Sequence, residues 1–332
     1  MAVPQAPLAP TLTGDLAAYG RCSRPARAAA DVVARLAAAG AELAGRIAAL
    51  NTEPCVLEPW ARARYRDGLA GADVAVAGMA GEAAPVPLTR GGSVVMTLVA
   101  VDEPANLAMN APVGTIFSVL PVTDAVGGGL LQPGRRQLAA GIILFGPATV
   151  LALTFGQGTD VYVLGPDGFV STRRGLVLPP EPALYAINAA NARHWHRGIR
   201  SYVADLVSGS SGPRQRDFSM RWLASLAAET YGILTRGGIY LYPAESRVQH
   251  GYGRMRLVYE ANPVAQLCEQ AGGAASDGHT PILDLVPAAL HQRTPLVFGS
   301  RAKVERVHRY LAGAPARHED SPLFAHRGLF RS

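Results

Sequence analysis

The sequence predicts a layered α/β protein, and three observations carry that expectation. Apolar residues recur at helical spacing from Pro25 to Leu50, several β-rich runs follow one another between Ser93 and Leu164, and single strands then alternate with single helices. Elements in this order bury one another best as helices stacked on sheets, an α/β/α arrangement. With 332 residues, of which 49% are hydrophobic, the chain can bury a large core. We expect one compact unit with two halves, residues 1–180 and 181–332.

In the first element Val32, Val33, Leu36, Leu43, Ile47 and Leu50 share a helical stripe, interrupted by Gly40 and Gly45, so one or two helices are expected. The following proline- and arginine-rich stretch gives no clear element, and Pro54 and Pro59 speak against a helix there. Ser93 to Val101 reads as a central strand ending at Asp102. Further strands are expected at Val113–Leu120, Ala139–Leu144, Thr149–Phe155 and Val161–Leu164, with turns at Gly146-Pro147 and Gly156–Gly158. The longest apolar run, Gly141 to Gly156, is broken by Gly146 and Pro147 and falls short of the ~20 residues a membrane helix needs.

Beyond it, helices are expected at about 196–207 and 219–235, strands at about 238–242 and 254–259, and a helix at about 262–271. Asn262 and Pro263 open that helix and Gly272-Gly273 close it. A strand at about 295–298 and a helix capped by Ser300 complete the fold, and the polar end after Pro315 should fray.

The net charge is +6, but Lys303 is the only lysine and the arginines are spread along the chain. That distribution argues against a nucleic-acid-binding stripe and leaves room for arginines that converge on small phosphates. Cys22, Cys55 and Cys268 have neither zinc-site spacing nor an even count, which fits a reducing, cytoplasmic compartment; Cys55 and Cys268 read as buried fillers. The start of the chain lacks a signal-peptide pattern. No Ser-His-Asp or HExxH pattern is visible, and His194 and His196 merely flank Trp195. The residue that stands out is Glu260, delivered to the end of the expected 254–259 strand, where a carboxylate can grip a hard cation or simply form a salt bridge.

The segments GGIYLYP, GRMRLVYEANPVAQLCEQAGGAASDG, ILDLVP, LHQRTPLVFGS and GTIFSVLP closely resemble the class I fructose-1,6-bisphosphatase family, particularly its bacterial branch. So do LQPGRRQLAAGIILFGP, YAINAANARHWH and DFSMRWLASLAAE, and all follow in family order from Gly114 to about Leu311. The resemblance implies an α/β/α/β/α sandwich, a homotetramer, and Mg²⁺- or Mn²⁺-dependent removal of the 1-phosphate of fructose 1,6-bisphosphate in gluconeogenesis or the Calvin cycle. It also implies that Asn188, Tyr242, Arg254 and Arg256 hold the sugar and its remote phosphate, joined by Arg221 from a neighbouring subunit. Arginine forks suit phosphate oxygens, while amide and phenol groups suit sugar hydroxyls.

For the metal, the resemblance implies Glu82, Asp102, Glu260 and the Val101 carbonyl as ligands, with Glu53, Glu58 and Glu82 serving catalysis. The chain departs from the family pattern at several of these places. Val99 replaces a metal-bridging aspartate, Ala83 replaces the second of two adjacent glutamates, and Pro104 removes a backbone donor while Glu103 adds an anion. Two readings therefore stand: a working bisphosphatase, with Glu103 as a substitute ligand, or a silent sugar-phosphate-binding relative that regulates or assembles with an intact one. Neither nucleic acid nor membrane is expected as a partner.

Overall fold

The computed structural model describes residues 10–49, 54–124, 129–247 and 253–313. Three helices come first, α1 (Leu12–Tyr19), α2 (Arg24–Ala49) and α3 (Pro54–Gly68). Eight strands follow: β1 (Val74–Met79), β2 (Val86–Pro87), β3 (Val94–Asp102), β4 (Val113–Pro121), β5 (Ala139–Phe145), β6 (Thr149–Thr154), β7 (Thr159–Gly165) and β8 (Gly168–Arg173). They form one sheet in the order β2-β1-β3-β4-β5-β6-β7-β8, parallel only between β1 and β3.

The remaining elements are β9 (Leu184–Ile187), α4 (Arg197–Val207), β10 (Ser219–Met220), α5 (Leu226–Arg236), β11 (Ile239–Tyr242), β12 (Met255–Arg256), α6 (Asn262–Gln270), β13 (Ala274–Ser276), β14 (Arg293–Thr294), β15 (Leu296–Gly299) and α7 (Arg301–Leu311). A second sheet runs β10-β9-β11-β15-β13, with β10, β9 and β11 parallel, and β12 pairs with β14 alone.

Burial on both faces explains why β3 to β6 read as largely apolar runs, their few buried hydroxyls paired, as Thr97 is with Ser118 at 2.8 Å. Helices α2 and α3 cover one face of the large sheet, where Val33, Leu36, Leu57 and Tyr65 pack with Met96, Leu98 and Phe117. Helices α5 and α6 fill the space between the two sheets, joining Ile116 and Ile142 of one to Tyr240 and Phe298 of the other. Helices α4 and α7 cover the far face of the second sheet through Tyr202, Ile199, Val304 and Val307. The result is the expected α/β/α/β/α sandwich. Lys303 on α7 is turned inward, 3% exposed, with its ammonium 4.7 Å from the Phe218 ring centroid. Burial and the nearby Arg214 and Arg216 guanidinium groups pull its pKa down to about 8.

The structure corrects several expectations. Residues 54–68 are helical despite Pro54 and Pro59: Pro54 sits at the start, where no hydrogen-bond donor is required, and Pro59 lies inside. Leu57, Ala61 and Tyr65 recur at helical spacing on the buried face, and Tyr65 forms a 2.8 Å hydroxyl pair with Thr115; tertiary packing outweighs the proline penalty. Cys55, on this helix, is exposed rather than buried. The strand expected at about 254–259 is limited to Met255–Arg256, because the wholly buried run Leu257–Ala261 winds into a π-helical turn that leads into α6. The helix expected from about 219 begins only at Leu226, capped by Ser225. Ser300 holds the N-cap position of α7 without capping it; its hydroxyl donates to the Pro179 carbonyl at 2.6 Å. Leu50, Glu53 and the end after Pro315 lie outside the described residues.

Candidate active site

Three parallel strands end side by side. Ile187 pairs with Leu241, so Asn188 and Tyr242 leave adjacent strand ends together, while the Arg221 amide continues the β10–β9 ladder by donating to the Tyr185 carbonyl at 2.9 Å. Carboxyl ends of parallel strands are the usual ligand edge of α/β sheets. Asn188 caps the turn that follows it, its carboxamide oxygen accepting from Ala190 N at 3.2 Å. Arg254 is exposed and donates to the Tyr242 hydroxyl at 3.0 Å. The Arg221 side chain is exposed, its guanidinium donating to the Met220 carbonyl at 2.9 Å. Trp222, which sequence reasoning passed over, stacks on Tyr240 at 5.7 Å and leans on Tyr242 at 6.0 Å. Its position beside Arg221 was the available signal.

Next to this edge lie two of the expected carboxylates. Glu260 projects from the π-helical turn and folds back on Arg256, accepting from its backbone N at 2.6 Å and from its guanidinium at 3.0 and 3.1 Å. Asp102 ends β3 opposite Gly114. A side chain at 114 would meet the Ala227 Cβ at 2.3 Å, so glycine there lets the start of α5 settle onto the sheet. The Asp102 carboxylate consequently accepts from the Ser225 hydroxyl at 2.7 Å and from Ala227 N at 2.9 Å. These donors favour the anion, but burial opposes it more strongly, aided by the Glu260 and Glu103 charges, and the pKa rises to about 7. Glu229, buried behind Leu223 and donated to by its backbone N, is also pushed up to about 7 by burial.

The third expected ligand has a different partner. Glu82 follows β1 and accepts from Arg62 at 3.1 Å; the same guanidinium donates to Glu58, one turn back on α3, at 2.5 and 3.2 Å. Val99, where the family pattern has an aspartate, is 4% exposed in the apolar cluster with Ala80, Ile116 and Val258. Glu103 leaves the strand at φ 51° and is exposed, and Pro104 opens a short 3₁₀ turn. Asn106 is buried and ties the Pro112 and Leu223 carbonyls together at 2.9 and 2.8 Å. Among the described residues, no three His, Cys, Asp or Glu side chains converge in a way that could hold a metal ion. The donors expected for one do not fit it as they stand: Glu82 and Glu260 are each held by a guanidinium, and Asp102 is taken up by the Ser225 hydroxyl and the Ala227 amide.

Five stacked layers, with arginine and tyrosine at the parallel strand ends, define a protein of the layered α/β sugar-phosphatase architecture. Two family models match the chain, the fructose-1,6-bisphosphatase N-terminal domain over residues 73–171 and the C-terminal domain over residues 178–312. The class 1 fructose-1,6-bisphosphatase of Rhizobium meliloti (strain 1021) is 48% identical over 254 residues, 75% of this chain and 73% of that protein. One from Cereibacter sphaeroides (strain ATCC 17025) is 42% identical over 319 residues, 91% of this chain and 95% of that protein. The crystal structure of Leishmania major fructose-1,6-bisphosphatase in its apo form superposes with a TM-score of 0.84 at 25% identity, covering 92% of this chain and 99% of the other. The chain belongs to the class 1 fructose-1,6-bisphosphatase family.

Proposed function

We propose that this protein hydrolyses the 1-phosphate of fructose 1,6-bisphosphate, giving fructose 6-phosphate and inorganic phosphate. The observation that carries the reading is the family match across both sheets, together with the grouping of Asn188, Tyr242 and Arg254 at one sheet edge. Arg254 and Arg256 would clamp the remote phosphate, with Asn188 and Tyr242 reading the sugar hydroxyls. The exposed Arg221 suits donation into a neighbouring subunit of a homotetramer. Asp102 and Glu260 are the expected metal-binding carboxyl groups that lie near this edge, and Asp102, its pKa raised to about 7, can hold or release a proton there.

No described helix is long and apolar enough to cross a membrane; we place the protein in the cytoplasm, a reading supported by its three cysteines, too few and too far apart in sequence for a disulfide framework. Nothing in the comparisons favours the catalytically silent alternative.

The resemblance implies Mg²⁺ or Mn²⁺, while the carboxylates as they stand offer it no cluster, so the test is phosphate release measured with each ion and with a chelator. Release of one phosphate per substrate, leaving fructose 6-phosphate, is the expected result; no release under any of these conditions would overturn the reading. Arg254→Gln should raise KM about tenfold or more with a smaller change in kcat, as expected when a phosphate contact made before the transition state is removed.

A further inference from the structure

We infer that Arg62 is a built-in cation: its guanidinium occupies the gap between Glu58 and Glu82, so this arm of the site is closed by a side chain and takes no divalent ion. The inference rests on family membership and on the geometry around Arg62, and it does not depend on the hydrolysis reading.

Three features agree. First, one guanidinium serves both carboxylates, with two contacts to Glu58 and one at 3.1 Å to Glu82, joining α3 to the end of β1 across 20 residues of chain. Second, the site is built around the guanidinium. Gly81 stands at φ +95°, and a Cβ there would lie 3.1 Å from the Arg62 Cζ and 3.2 Å from each terminal nitrogen. Arg62 therefore packs flat against a stretch of backbone that only glycine leaves bare. Third, the group is sheltered: the Arg62 side chain is 22% exposed, Glu58 24% and Glu82 35%. An ion pair so placed is screened less than a surface one, and a weakly hydrated guanidinium costs less to dehydrate than a divalent ion.

The chemistry of the exchange is direct. Two carboxylates facing each other need a positive charge between them, which a divalent cation supplies through oxygen ligation and an arginine supplies through N–H donation. Both cannot occupy the gap, because a divalent ion would have to displace the guanidinium and would meet its charge nearby. Arg62 is thus a positioning residue that fixes Glu82 and locks α3 to the large sheet.

The test is Mn²⁺ binding to the purified full chain, followed by electron paramagnetic resonance and by the shift in melting temperature. In the wild type, Glu82→Gln should leave the Mn²⁺ isotherm unchanged. Arg62→Met should lower Tm without metal, gain Mn²⁺ affinity by about tenfold or more, and recover Tm when Mn²⁺ is added. Adding Glu82→Gln to that variant should abolish the gain. Arg62→Gln, which keeps hydrogen-bonding polarity without the charge, provides the same comparison if Arg62→Met does not fold. Wild-type Mn²⁺ binding that is lost in Glu82→Gln, or a folded Arg62 variant whose Mn²⁺ affinity does not rise, overturns the inference. Phosphate release, assayed separately, reports on the hydrolysis reading whichever way the binding result falls.

Discussion

At the scale of single residues, Asp102 shows how burial and hydrogen bonding compete. Its carboxyl binds a proton more firmly in the folded chain than in the unfolded one, so the stability it contributes is fully present below about pH 4 and declines as pH rises through about 7. Asp102→Asn keeps an oxygen for Ser225 and Ala227 and removes the titration. The loss of stability between pH 5 and pH 8 should therefore shrink by roughly 1–3 kcal/mol in Asp102→Asn, as urea melts at the two pH values would show. An unchanged pH dependence would mean that the carboxyl titrates normally.

Asn188, Tyr242 and Arg254, which share one sheet edge, could be singled out in the sequence because their motifs are contiguous and lie at or beside strand ends. The partner of Glu82 was not. Glu58 and Arg62 have the i, i+4 spacing of a helical ion pair, but that signal has meaning only once residues 54–68 are recognised as a helix.

At the scale of elements, two of the departures from expectation have one cause, which is that burial decides where local propensity is ambiguous. Pro59 lowered the helical reading of α3, yet the Leu57, Ala61, Tyr65 and Leu69 spacing was present in the sequence and packs against β3 and β4. The run Leu257–Ala261 is apolar at every position except Glu260, so its period could not distinguish strand from helix. The π-helical turn that forms aims Glu260 back at Arg256, an outcome that periodicity could not reveal.

The seating of α5 is the element on which the Asp102 environment depends. Gly114→Ala places a methyl group against Ala227 and should cost about 1–3 kcal/mol of stability, measured by denaturant unfolding. Because it lifts the donors Ser225 and Ala227 from Asp102, it should also move any pH optimum set by that carboxyl. A variant as stable as the parent would show that the helix has room to shift.

At the scale of the whole molecule, the layered class was readable from the order of elements, and the match of both family models follows that order. The way the two sheets share α5 and α6 was not, since it depends on contacts between segments far apart in sequence. Ile116 and Ile142 of the first sheet and Tyr240 and Phe298 of the second lie in one cluster, so the halves should open together rather than one after the other.

The inward-facing Lys303 turns that shared core into something an experimenter can read. It is the chain's single lysine, and its lowered pKa leaves much of the amine unprotonated in mildly alkaline buffer. An acylating reagent should leave this amine untouched until the sandwich comes apart, then modify it quickly. The rate of modification at Lys303 itself, followed by peptide mass spectrometry that separates it from the α-amino group, would time the opening event, and rapid labelling of Lys303 in the folded protein would contradict the inward placement.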